Sequence, residues 1–437
     1  MGKRTYRAVE IKAVVPAVVK EKCGQRVIVA IDVAKELQFA ALSTDQGEVV
    51  RTIKWSHPAE TRSFVELCVR LAETGLTVET AMEPSGTYGD ALRGLLLSKK
   101  FEVFRVSGKR VHDAAEVFDG VPSNHDPKAA FLIAKLHAQG RSEAWPLEQA
   151  STRELEALQQ TFGLHHTRHL QILNRLEALT ARHWPELTRS LSLDTKTLEV
   201  LLQNYGSPAA VAADPVGARL LMKRTGGSFL SQEVIEAVVS SASQSVGLPM
   251  EPAEVALMKA MATEAGHARQ ASQAAEKPLV AKANKVLAPT FIETVGAVTA
   301  AVLVASGLDP KKYSTPRALE KAAGLNLREF SSGKKKGGLH ITKRGDSLSR
   351  MMLYMAVLRL IQRDPVLRAW HRAKVARDGG KLALKSTVAL MRKLIKALWH
   401  VGRGATFDSS KLFDADKLGL APIGPTMMVP GAQEARP

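Results

Sequence analysis

Cysteine is almost absent: Cys23 and Cys68 are the only two in 437 residues. They form neither a metal-ligand spacing nor a disulfide framework, which points to a reducing cytoplasm. No apolar run is long enough to span a bilayer. The longest, Val295 to Leu308, is short and contains Gly, Thr and Ser. The N-terminus lacks the apolar core of a signal peptide, and no internal repeat is evident. Acidic residues are scarce in one place. From Lys311 to Arg403 there are 23 Lys and Arg against 5 Asp and Glu, an excess equal to the whole formal charge of +18. Charge gathered this way implies a polyanionic partner rather than a generally soluble surface.

The N-terminal third has a clear strand pattern. Val27 to Asp32 reads as a buried strand ending at an acid. Leu37 to Leu42 and Val49 to Trp55 are two more strands, joined by the turn-like Ser43-Thr44-Asp45-Gln46-Gly47. Thr61 to Thr74 is helical, Leu76 to Glu83 is a fourth strand ending at an acid, Tyr88 to Lys99 a helix, and Phe101 to Val106 a fifth strand. Three hairpin-like strands followed by alternating helix and strand is the order of an α/β RNase H-like fold. Asp32 and Glu83 end two strands. If those strands are neighbours, their carboxylates meet and offer hard oxygen ligands to Mg2+. Read alone, each is equally an ordinary turn or capping acid.

The most unusual stretch is Arg328-Glu329-Phe330-Ser331-Ser332-Gly333-Lys334-Lys335-Lys336-Gly337-Gly338. Its glycines let backbone approach a phosphate closely, its lysines neutralise phosphate charge, and a serine there is placed to attack phosphorus. The competing reading is a basic loop that only grips nucleic acid.

Ile31-Asp32-Val33-Ala34-Lys35, Met82-Glu83-Pro84-Ser85-Gly86-Thr87-Tyr88 and His125-Asp126-Pro127-Lys128-Ala129-Ala130 resemble the RuvC-like domain of the insertion sequence 110 family of transposases. That family includes bridge-RNA-guided recombinases and Piv-type invertases. The likeness extends through the Ser-Gly stretch and Thr342-Lys343-Arg344-Gly345-Asp346, and covers nearly all of 27–140 and 286–403. It implies a RuvC-like acidic metal-binding domain over 1–145, a helical coiled-coil and oligomerisation region over 150–285, a mainly α-helical basic transposase domain with the serine loop over 286–405, and a tail over 406–437. It also implies four acids holding Mg2+. Three match Asp32, Glu83 and Asp126; Ala129 stands at the fourth position. Asp126 is expected as the N-cap of a helix with Pro127 at N1. Ala129 then lies one turn on, on the same side. An engineered substitution is the favoured explanation, since the rest of the pattern is intact. Natural decay, or a ligand from Asp113 or Asp119, are the others.

The resemblance makes Ser332 the nucleophile, with Ser331 its rival. Lys334, Lys335, Lys336, Lys343, Arg344 and Arg350 become candidate nucleic-acid contacts, and Arg359, Arg363, Lys374, Arg377, Lys381 and Lys385 general backbone contacts. The implied activity is a DNA transposase or recombinase of the bacterial cytoplasm, acting at the nucleoid with no membrane partner. Its implied partners are target and donor DNA, a structured noncoding bridge RNA, and copies of itself as a dimer or tetramer. A metal-only Holliday-junction resolvase or nuclease, and a non-enzymatic nucleic-acid-binding protein, are the alternatives.

In the middle third, Ser151 to Glu154 reads as a capping box. Leu155, Leu158, Phe162, His165, His169, Ile172, Leu176 and Leu179 form a heptad seam, expected as a coiled coil within or between chains. His165 and His169 read as polar register positions rather than metal ligands. A second long helix is expected from about Pro252 to Glu276, ending before Pro278. Phe291 to Ala301 looks like one half of a helix-hairpin-helix, but of that family pattern only Gly296 is kept, and a purely structural helix start is at least as good a reading.

Overall fold

The computed structural model describes residues 6–118, 120–121, 125–329 and 337–413. The first of two compact units, Met1–Gln149, is built on a seven-stranded sheet. Its strands are β1 (Ala8–Glu10), β2 (Arg26–Asp32), β3 (Leu37–Ser43), β4 (Val49–Ser56), β5 (Thr77–Met82), β6 (Glu102–Val106) and β7 (Ser142–Ala144), in the order β1-β4-β3-β2-β5-β6-β7. The five inner strands are those expected, and β4-β3-β2-β5-β6 is the RNase H-like order. β2, β3 and β4 pair antiparallel, while β5 and β6 add parallel to β2. The three-residue edge strands β1 and β7 carry too little pattern to be read from sequence.

Strand alternation divides the core in two. Val27, Val29 and Ile31 face one side with Phe64, Leu67 and Leu71 of the helix Thr61–Glu73. Ile28 and Ala30 face the other with Phe131, Leu132 and Ile133 of the helix Asp126–Ala138. Both cysteines are buried and free, and burial pushes the Cys68 thiol up to about 12, so it stays protonated and unreactive.

The second unit, Ala150–Pro437, is mainly helical. Its helices Ala150–His183 and Pro252–Ala283 run antiparallel. Lys282 donates to Glu154 at one end, Arg168 meets Glu264 at 2.9 Å midway, and Arg182 meets Glu254 at 3.6 Å at the other. Leu155, Phe162, His169 and Leu176, each one heptad apart, are buried. The second long helix offers mostly small buried residues, among them Ala262, Ala265 and Ala268, while its Gly266 faces Glu199 of the insert, where a Cβ would lie 2.3 Å from Glu199 Oε1. The seam is thus filled inside one chain. Short helices between Leu187 and Ser243 fill the insert.

Two local expectations fail. Ser151 is no cap: the helix begins at Ala150, and Glu154 is used across the pair by Lys282. The second long helix runs through Pro278 to Ala283. The proline removes one hydrogen bond, but buried Leu279 and Ala283 hold the final turn against the core. Among the described residues, no single helix is long and apolar enough to cross a membrane.

The rest of this unit packs the helices Pro289–Val295, Ala297–Ala305, Pro316–Ala322, Ser347–Arg363, Pro365–Arg377 and Ala383–Val401 around a shared core. The strands β8 (Leu327–Glu329) and β9 (Leu339–Ile341) pair antiparallel beside it, with Ile341 packed against that core.

Candidate active site

β2 and β5 are parallel and in register as far as Ile31 opposite Met82. Asp32 and Glu83 are each one residue further on, so they stand side by side at the carboxyl edge of the sheet. Alternation gives Asp32 the face of Ile28 and Ala30, and Glu83 the face of Ala81. That face is the one covered by the helix Asp126–Ala138, which carries Asp126 in its first turn. Its N-cap is His125 rather than Asp126: the His125 Nδ1 accepts from the Lys128 amide at 3.3 Å. Asp126 is therefore the first helical residue, and its carboxylate is not used as the cap.

Two of these acids act on the third. Burial, then Asp126, then Glu83 push the Asp32 carboxyl up to about 7. Burial also raises Glu83. Three carboxylates gathered at a sheet edge are hard oxygen donors, and their mutual repulsion is what a divalent cation relieves. The donor chemistry fits Mg2+. Among the described residues, however, no three His, Cys, Asp or Glu side chains stand close enough to share an ion, so binding requires the side chains to draw in.

Ala129 is buried among Ile28, Ala30 and Ala81, one turn from Asp126, and offers no oxygen. Asp113 does not replace it. That carboxylate is exposed, held low by a hydrogen bond from Lys109, and is not among the acids acting on Asp32. Asp119 lies outside the described residues.

One residue that the sequence reading passed over belongs here. Gly108 follows β6 and opens the helix Gly108–Asp113. A Cβ on it would lie 2.3 Å from Glu83 Oε1. A glycine two residues past the end of a parallel strand was the available signal.

In the second unit, β8 and β9 pair Leu327 with Ile341, Arg328 with His340 and Glu329 with Leu339. The serine stretch joins these strands. Ser331, Ser332, Lys334, Lys335 and Lys336 lie outside the described residues.

The Lys343-Arg344-Gly345 turn follows β9 and is tightly built. Lys343 adopts a left-handed φ of 54°, uncommon for a side-chain-bearing residue. Its amide donates to the Gly324 carbonyl at 2.9 Å. Thr342 donates its hydroxyl to Asn326 Oδ1 at 2.7 Å. A Cβ on Gly324 would lie 1.8 Å from the Arg344 carbonyl oxygen. Below the turn Asp346 caps the helix Ser347–Arg363, accepting from the Ser349 amide at 2.7 Å and the Ser306 hydroxyl at 2.9 Å. Burial alone would raise this carboxyl, but those donors hold it low. Arg350 donates to the Arg344 and Gly345 carbonyls at 3.1 and 3.0 Å, so part of its guanidinium braces the turn. Lys343 and Arg344 remain exposed.

Some expected phosphate contacts are otherwise engaged. Arg359 donates to the Val295 carbonyl and the Thr299 hydroxyl, both at 3.0 Å, and ties together the two helices that meet at Gly296. Lys374 and Lys385 both reach Asp378.

Two family models match the chain. One, a transposase model of the IS110 DEDD type, covers residues 29–185; the other, described as the transposase IS116/IS110/IS902 family, covers 290–372. An insertion element IS110 uncharacterized 43.6 kDa protein of Streptomyces coelicolor is 27% identical over 248 residues, an alignment spanning 55% of this chain and 60% of that protein. The first match takes in the acidic sheet edge and the second takes in the serine hairpin and the basic turn; the chain belongs to the IS110 family of transposases.

Proposed function

We propose that this protein is a DNA transposase that cuts and rejoins DNA strands, with an acidic site of Asp32, Glu83 and Asp126 and a nucleophilic Ser332. The observation that carries the reading is the β2–β5 register, which sets Asp32 beside Glu83 on the face covered by the helix bearing Asp126. Structural use of three half-buried or exposed acids there would leave their repulsion unrelieved. Asp32, Glu83 and Asp126 would hold Mg2+, which when bound supplies charge neutralisation at the phosphate.

The Ser332 hydroxyl oxygen attacks the phosphorus of a DNA phosphodiester. A phosphorus–oxygen bond to serine forms as the bond to the leaving sugar oxygen breaks. The serine proton is lost to solvent, and the leaving oxygen takes one up. Each phosphodiester lost is replaced by a phosphoserine ester, so rejoining to a new strand hydroxyl needs no outside energy. Lys343 and Arg344, displayed by the braced turn, and Lys334, Lys335 and Lys336 neutralise the flanking phosphates. Arg350 both braces that turn and borders it. A structured noncoding RNA pairing with target and donor DNA supplies sequence recognition, leaving backbone and shape to the protein. Two or four copies assemble on the DNA.

Ala129 favours a second reading. With no fourth carboxylate the chain as written binds nucleic acid and cuts poorly or not at all. Both readings are tested by a denaturing gel for a protein–DNA adduct, with labelled target and donor DNA, Mg2+ and the element's own noncoding RNA. The unaltered chain is compared with Ala129→Asp and with Ala129→Asp carrying Ser332→Ala. An adduct with Ala129→Asp that disappears without Ser332 is the expected result. Cut ends without an adduct, still made after Ser332→Ala, indicate a metal-only nuclease. Binding without cleavage in all three leaves a binding protein.

A further inference from the structure

The helices Pro365–Arg377 and Ala383–Val401 meet at a tight tip, Asp378-Gly379-Gly380-Lys381-Leu382. Gly379 and Gly380 both take left-handed φ, 82° and 78°, and the Gly380 amide closes the turn on the Val375 carbonyl at 2.8 Å. Asp378 braces the tip from within. It accepts from Lys374 at 2.9 Å and faces Lys385 at 3.7 Å on the other helix. His371 Nδ1 lies 2.9 Å from the Ser386 hydroxyl and ties the two helices just behind. The tip is thus tied by its own hydrogen bonds and ion pairs on both helices.

What it displays is unusual. Leu382 is 45% exposed and Leu384 64% exposed. On Ala383–Val401, Met391 and Ile395 are buried in the core, and the apolar stripe continues out of that core to Leu384, which is left exposed among the described residues. From Arg372 to Lys385 there are five Lys and Arg against the single Asp378. Lys374, Arg377 and Lys385 all act on that one acid, while Arg372 and Lys381 make no ion pair among the described residues. Two apolar side chains thus stand at the end of a braced, strongly cationic hairpin.

We propose that this tip is a wedge for nucleic acid, with Leu382 and Leu384 entering between bases that have left the helical stack while Arg372, Arg377 and Lys381 hold the flanking phosphates. Apolar wedges set among cations are how proteins unstack and kink a duplex, and unpaired bases lower the cost of entry. The excess positive charge matches a polyanion. An anionic membrane offers the same charge, but interfacial anchoring needs a long apolar face, and two leucines at a turn do not make one. The proposal rests on the reading of the chain as a DNA-acting protein; its test reads binding and needs no cleavage.

The experiment uses the full chain with a short random-sequence duplex and the same duplex carrying an unpaired bulge, with 2-aminopurine beside the bulge. Leu382→Ser with Leu384→Ser is compared with Arg372→Ala, Arg377→Ala and Lys381→Ala combined. Both sets are exposed, so the melting temperature is expected to hold, and circular dichroism checks it. The unaltered chain is expected to prefer the bulged duplex and to raise 2-aminopurine fluorescence. The leucine variant is expected to keep its affinity for the intact duplex, lose about tenfold of the bulge preference, and lose the fluorescence rise. The cation variant is expected to weaken on both duplexes, with a salt dependence shallower by nearly three, about 0.9 for each of the three phosphate contacts removed. A leucine variant with unchanged preference and fluorescence overturns the wedge while leaving the transposase reading intact. So does a leucine variant that loses only binding to phosphatidylserine vesicles, which would make the tip a lipid contact. Failure of the unaltered chain to bind either DNA overturns both readings.

Discussion

A Cβ on Gly108 would lie 2.3 Å from Oε1 of Glu83. The glycine does not take a left-handed conformation, so its role is space. Adding a methyl group there displaces the end of a flexible side chain and little else. Gly108→Ala is therefore expected to leave the melting temperature within about 2 °C while reducing Mg2+-dependent DNA cleavage, in the Ala129→Asp background, about tenfold or more. Shortening the displaced acid makes room, so Glu83→Asp added to Gly108→Ala is expected to recover part of the activity. Metal titrations and melting curves of the three variants separate displacement from unfolding.

The pH dependence of stability follows from Asp32. Its carboxyl is pushed up to about 7 in the folded protein by burial and by Asp126 and Glu83, against roughly 3.9 in an unfolded chain. Between those values the folded state holds the extra proton, so stability falls as pH rises and levels off above about 7. Without a divalent cation, Asp32→Asn is expected to flatten that slope and to stabilise the protein at pH 8 by roughly 2 kcal/mol. Added Mg2+ is expected to narrow the difference. Urea melts across this range, with and without the cation, make the measurement.

Gly324 and Lys343 test the basic turn from opposite sides. Gly324 has a φ of 69°, and a Cβ on it would sit 1.8 Å from the Arg344 carbonyl oxygen, a backbone atom that cannot swing aside. Gly324→Ala is expected to cost about 3 kcal/mol of stability. Lys343 itself has a φ of 54°, which glycine adopts freely. Lys343→Gly is expected to leave stability unchanged or slightly improved while weakening DNA binding and reducing its salt dependence by about one phosphate contact. Denaturant unfolding paired with salt-dependent binding distinguishes the two.

Leu176 tests where the heptad seam is satisfied. It is fully buried in the core beneath the two long helices. Leu176→Ala is expected to cost roughly 3 kcal/mol. Because the seam is filled by the chain's own second long helix, the shift in unfolding midpoint is expected to be independent of protein concentration. A concentration-dependent shift would mean that a second chain completes the seam.

Much of the fold was legible because it is written at short range. Alternation over Val27–Asp32, the turn after Leu42, the heptad through Leu155, Phe162, His169 and Leu176, and the gathering of charge after Lys311 are properties of neighbouring residues. Each was read in place, as were the acids that end β2 and follow β5. What lay beyond reach depended on atoms distant in the chain. That Asp32 stands beside Glu83 is decided by the β2–β5 register, and that Gly108 leaves room for Glu83 is decided by where β6 ends. Arg359 reads as one more surface cation until Val295 and Thr299 are placed beside it. Periodicity states which face of an element is apolar; only packing states what that face meets, and therefore which acids repel, which cations are already engaged and which leucines are left uncovered.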